Sequence, residues 1–192
     1  MIEESTPKTR WPTGEDHLFR EGLRAYDAPV TSHVGEREYR LPMGYKRAAD
    51  LLLERAAGDP SDRRNVIYPA LFCYRQSIEL FLKQLIRFGN GEYPRGHRLD
   101  ELWKRFIRVA RDRGLGDSMG ITAAGTLVLE LHAADERSDG FRYPVDRNGH
   151  AFVFSDRCID IDNLLDIMDR LTNFLECAAM AFSHQYDTTS SQ

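Results

Sequence analysis

Residues 63–88 read RRNVIYPALFCYRQSIELFLKQLIRF, and their spacing decides the fold class. Ile67, Leu71, Tyr74, Ile78, Phe81, Leu85 and Phe88 step by four and three in alternation. Such a seam lies along one side of a long helix and packs into a bundle. Pro69 sits near its start, where a proline marks a first turn or a kink. Gly89-Asn90-Gly91 then stops the helix.

Working outward, the same period recurs. Tyr45, Ala48, Ala49, Leu52 and Leu53 predict a helix over 44–57, stopped by Gly58-Asp59-Pro60. Leu99, Leu102, Trp103, Phe106 and Val109 predict one over 99–113. Ile121, Ala124, Leu127, Val128 and Leu131 predict another over 121–134. Ile161, Leu164, Met168, Leu171, Leu175, Ala178 and Phe182 predict the last, over 160–183. Between these lies a different texture. Phe141-Arg142-Tyr143-Pro144-Val145 and Ala151-Phe152-Val153-Phe154 flank an Asn148-Gly149 turn signal. Pro144 would confine any strand there to an edge. The expectation is an all-α, up-and-down bundle of four to five helices with a small β-hairpin or structured loop near 141–154.

The remaining segments lack a sustained period. Residues 1–43 hold Trp11-Pro12-Thr13-Gly14, Pro29 and Pro42, and read as an N-terminal arm with a short helix near Asp16–Tyr26. Residues 44–183 read as the bundle. Residues 184–192 are rich in Ser, Thr and Gln, and read as a flexible tail.

Composition narrows the function classes. The chain has 192 residues, 42% apolar and 29% charged, enough for one core without metals or disulfides. A net charge of −4 argues against a binder of nucleic acid over its whole surface, though not against a local basic patch. No run of about 18 apolar residues predicts a membrane span. The first residues lack the apolar core of a secretory leader. The three cysteines, Cys73, Cys158 and Cys177, have no metal-binding spacing. A cytoplasmic protein with reduced thiols is the expectation, without membrane contact. No cofactor or metal is implied, since the phosphate-loop, dinucleotide, zinc-protease and serine-elbow motifs are absent.

Three groups of residues could carry chemistry. Arg75, Glu79 and Lys83 lie at i, i+4 and i+8 on one stripe of the 63–88 helix. They read either as an ion-paired stripe or as a pocket for a phosphate-bearing ligand, with Arg142 approaching from the hairpin beside Tyr143. His97 reads either as a residue at the start of the next helix or as a general acid/base near Arg75 or Arg142. The third group is the segment Arg95 to Arg113. It carries Arg95, Arg98, Lys104, Arg105, Arg108, Arg111 and Arg113 against Asp100, Glu101 and Asp112. It reads either as a face paired with Asp156, Asp160, Asp162, Asp166 and Asp169 or as a phosphate-tracking groove. Of the 26 basic residues in the chain, 22 are Arg, the side chain suited to bidentate phosphate contact.

The run Arg75-Gln76-Ser77-Ile78-Glu79-Leu80-Phe81-Leu82-Lys83, followed by Gly96-His97-Arg98-Leu99, resembles the HEPN family of helical-bundle domains. The resemblance spans residues 44–183 in helix order and is specific in the second and third helices. It implies a compact bundle that dimerises and works in bacterial stress or defence systems such as toxin–antitoxin modules and phage defence. Members act as metal-independent RNases or as non-catalytic binding modules. Catalytic members carry an Arg followed, after four to six residues, by a His. Arg142 and Arg147 have the wrong spacing to His150, and the letter match from Arg10 to His17 spans Trp-Pro-Thr-Gly.

The expectation is therefore an RNA- or nucleotide-binding homodimer without efficient nuclease activity. A metal-independent endoribonuclease using His97, Arg75 and Arg142 is one alternative. The other is an adaptor that docks on a partner protein encoded nearby. Arg75, Glu79, Lys83, Lys104, Arg105, Arg108 and Tyr143 are the candidate ligand contacts.

Overall fold

The structure is a computed structural model that describes residues 30–114, 119–152 and 157–189, with Pro12, Leu18, Phe19 and Phe154. The chain divides into two compact units, Met1–Ser32 and His33–Gln192. The short helix expected at Asp16–Tyr26 lies, apart from Leu18 and Phe19, outside the described residues.

The second unit is a helical bundle. Its helices are α1 (Val34–Ala56), α2 (Pro60–Asn90), α3 (Leu99–Asp112), α4 (Met119–Ala134) and α5 (Ile161–Thr189). Each packs on the next in sequence, and α2 also touches α5, so α2 forms the spine. Its ends follow from local chemistry. The Asp59 carboxylate accepts from the amides of Ser61 (2.8 Å) and Asp62 (3.4 Å), and Pro60 occupies the first turn. Gly91 closes the other end at φ 80°, and its amide donates to the Arg87 carbonyl.

Two boundaries differ from expectation. Helix α1 begins at Val34, ahead of the expected start at 44, and runs through Pro42. A proline removes one helical hydrogen bond and ordinarily ends a helix. Here Pro42 is buried, and the Ser77 hydroxyl of α2 donates to its carbonyl at 2.8 Å, so packing carries the helix through. Helix α5 continues to Thr189, into the stretch expected to fray. No Gly or Pro stands between Ile161 and Thr189 to stop it.

The core lies between α2, α3 and α5. Trp103, Phe106, Phe174 and Phe182 form its aromatic centre, with ring centroids 5.0 to 6.4 Å apart. The buried Tyr74 hydroxyl donates to Asp50 at 2.8 Å, and Lys46 bridges Asp50 to Asp169, tying α1, α2 and α5 together. Burial, reinforced by the Asp50 carboxylate, pushes the Tyr74 phenol far above its ordinary pKa. Of the small hairpin or structured loop expected near 141–154, the described residues form the loop. Among the described residues, a single antiparallel bridge joins Val145 to Ala151, around a turn with Gly149 at φ 82°.

Candidate functional site

The α2 stripe turns inward. Arg75, Glu79 and Lys83 are all buried, Arg75 with no exposed surface. Each charge is therefore answered inside the protein, as burial requires. Glu79 Oε2 accepts from Arg75 Nη1 at 3.1 Å, and Glu79 Oε1 accepts from Lys83 Nζ at 2.9 Å. Arg75 Nε donates to the Asp135 carbonyl at 3.0 Å and lies 3.4 Å from the buried Asp135 carboxylate. Two cations and two carboxylates balance.

His97 crowns this cluster. Its ring Nδ1 lies 2.7 Å from Glu79 Oε1, and its backbone carbonyl accepts from Arg75 Nη2 at 2.8 Å. Two residues one helical turn apart thus hold both the ring and the backbone of His97. Gly96, at φ 91°, supplies the left-handed turn that brings the loop over α2. The His97 side chain remains 69% exposed, so its outer nitrogen faces solvent. With Glu79 ionised, the hydrogen-bond network assigns the proton to Nδ1 and leaves Nε2 as an acceptor.

Arg142 is elsewhere. Its Nε donates to the Ser138 carbonyl at 2.7 Å, and its guanidinium lies over the rings of Tyr143 (5.2 Å) and Phe72 (5.8 Å). The expected approach of Arg142 to the α2 stripe is not made, because the turn at 135–142 bends its stem back. Asp135 fixes that turn: its Oδ1 accepts from the amides of Asp139 and Gly140, both at 2.9 Å. The expected pocket of Arg75, Glu79 and Lys83 around a phosphate is likewise filled by the protein's own groups.

The basic face of α3 is exposed, but three of its expected acidic partners, Asp160, Asp166 and Asp169, are engaged elsewhere. Asp166 pairs with Arg170, Asp169 with Lys46, and Asp160 caps its own helix at Asn163. Asp156 lies outside the described residues. Lys104 reaches Asp100 at 3.6 Å, and Arg113 donates twice to the Gly89 carbonyl. Arg105 and Arg108 are exposed and make no ion pair with a described residue.

A second polar cluster joins Arg98 and Asp100 of the basic segment to His132 and Glu136, which carried no sequence signal. Arg98 meets Asp100 (3.1 Å) and Glu136, and His132 Nε2 lies 3.2 Å from Asp100. Burial alone would raise the Asp100 carboxyl; the Arg98 hydrogen bond and the His132 ring outweigh it and hold the group below its ordinary value. The Arg98 hydrogen bond also holds Glu136 low. Buried His132 Nδ1 has no hydrogen-bond partner among the described residues.

Among the described residues, no group of three or more His, Cys, Asp or Glu is arranged to hold a metal ion. The three cysteines are free; burial raises the Cys73 thiol, and Cys158 and Cys177 are exposed. No described helix is long and apolar enough to cross a membrane. Comparison with known protein families, curated proteins and solved structures gives no match.

Proposed function

We propose that this chain is a HEPN-like module that binds RNA or nucleotides, as a homodimer in a bacterial stress or defence system of the cytoplasm, without efficient nuclease activity. The observation that carries the reading is the exposed α3 face, where Arg105 and Arg108 stand one turn apart without an ion pair among the described residues. Guanidinium groups in that state can take phosphate oxygens without first breaking a salt bridge. Weak catalysis follows from burial. Of the three catalytic candidates, Arg75 has no exposed surface and Arg142 is held on another loop. Neither of these two guanidinium groups is thus free beside the exposed His97 ring to meet charge developing on a phosphate.

Binding of a short single-stranded RNA, measured across salt concentrations, tests the reading. Arg105→Glu with Arg108→Glu reduces both the affinity and the salt slope. Unchanged affinity removes the α3 face from the function.

One observation favours a second reading. The exposed His97 ring is oriented by a buried carboxylate, the arrangement that serves a general base. RNA cleavage in EDTA that disappears in His97→Ala would favour the endoribonuclease. Cleavage retained in His97→Ala would exclude this His from it.

A further inference from the structure

Residues 140–144, with Phe152 and Phe154, and Tyr68 of α2 line a pocket of about 370 Å³. Five aromatic side chains line it: Tyr68, Phe141, Tyr143, Phe152 and Phe154. Phe141 is buried and meets Phe154 edge-on at 5.5 Å, which makes a floor. Tyr68 and Tyr143 are 43% and 56% exposed, so their rings form accessible walls. Among the described residues of the lining, Arg142 is the charged one. Its Nε is engaged by Ser138, and neither of its terminal nitrogens hydrogen-bonds a described residue.

We infer that this pocket binds a nucleobase together with its phosphate. The inference rests on the nucleotide-binding reading above and gives it a second, base-reading site apart from α3. Aromatic rings attract either a flat π-system or a cation. Among the described lining residues there is no carboxylate to hold a cation, and Arg142 would repel one. A planar ring bearing an anion satisfies both features: the base stacks on Tyr143 or Tyr68, and the phosphate takes the outer nitrogens of Arg142. The volume suits a single nucleotide.

The pocket is preorganised. Asp135 ties the amides of Asp139 and Gly140, and Arg75 in turn holds the Asp135 carbonyl. Asp146 accepts from the amides of Asn148 and His150, and its own amide donates to the His150 carbonyl. Gly140 leaves room for Phe152: a Cβ there would come within 3.2 Å of that ring. These bonds hold both turns of the loop before any ligand binds, which lowers the ordering cost of binding.

The test uses the full chain with AMP, adenosine, inorganic phosphate and an oligoadenylate RNA, followed by calorimetry. AMP binds more tightly than either adenosine or phosphate alone. Tyr143→Ala and Tyr68→Ala each weaken AMP by about 5- to 100-fold, the range of a lost stacking partner, while Tyr143→Phe keeps the affinity. A matching loss for the oligoadenylate assigns the pocket to single-stranded RNA; binding of AMP alone assigns it to free nucleotide. AMP affinity unchanged in both alanine variants, or no AMP binding at millimolar concentration, overturns the proposal. If Arg105→Glu with Arg108→Glu weakens RNA while both tyrosine variants bind AMP and RNA normally, the pocket fails and the α3 reading stands. If AMP binds through Tyr143 and RNA does not bind at all, the α3 reading fails and the pocket stands.

Discussion

Glu79 and His97 are joined by a 2.7 Å contact between carboxylate and ring, although one lies inside α2 and the other on the loop beyond it. The pair is asymmetric: Glu79 is 1% exposed and His97 69%. The carboxylate cannot turn, because Arg75 and Lys83 hold both its oxygens. The ring has no other tether, so its proton position follows Glu79.

That asymmetry predicts a tautomer. At pH 8, nitrogen–proton correlation spectra place the His97 proton on Nδ1. In Glu79→Gln the acceptor charge is gone, and the Nε2-protonated form, the usual one for a free imidazole, gains population. An unchanged spectrum in that variant would mean that the contact does not orient the ring.

Arg75 carries a larger load. It joins Glu79, the His97 carbonyl and the Asp135 carbonyl from a site with no solvent. Arg75→Met leaves Glu79 and Asp135 short of a buried cation. The expected loss is about 3–5 kcal/mol, or roughly 6–20 °C in melting temperature for a chain of this size. Amide exchange should accelerate together at 96–98 and 135–142, because one guanidinium holds both loops. Acceleration in one loop alone would break that link.

The period of the 63–88 segment was enough to give α2, because a helix that buries a seam must repeat near every third and fourth residue. The stripe of Arg75, Glu79 and Lys83 was visible too, but not its direction. A clue was there: Ile78, Phe81, Leu82, Leu85 and Ile86 surround it almost completely, and a helix apolar on nearly all sides is buried. Asp135 left no trace, since its link to Arg75 spans 60 residues. The start of α1 is hidden in the sequence for the opposite reason: Pro42 is a strong local stop, and the Ser77 contact that overrides it is tertiary.

Close helix packing gives a third expectation. A Cβ at Gly89 would stand 1.8 Å from Val109 Cγ1, and valine cannot swing aside within its stiff rotamer. Gly89→Ala should therefore destabilise by about 1–3 kcal/mol, although alanine is the better helix former. Val109→Ala in the same chain should recover part of the loss. Urea melts of the two single variants and the double variant give the coupling; simple additivity would mean that Val109 is not the obstacle.

The Arg98 cluster predicts an acid dependence whose sign follows from its carboxylates. Asp100 and Glu136 both titrate below their unfolded values of 3.8 and 4.5. The stability they contribute is complete above those values and is lost as pH falls through the lower folded ones. Removing Arg98 removes the hydrogen bond that holds both down. In Arg98→Ala, Asp100 loses its strongest partner and keeps the His132 ring, the Glu101 amide and Lys104 against its burial, so its carboxyl rises. The stability gap between the native chain and Arg98→Ala should be wide at pH 7 and narrow toward pH 3. Because Arg98 and Glu136 are well exposed, the gap at pH 7 should also shrink in high salt. Chemical denaturation at both pH values, with and without 1 M salt, measures it, and a gap independent of pH would show that Arg98 acts by packing and not by charge.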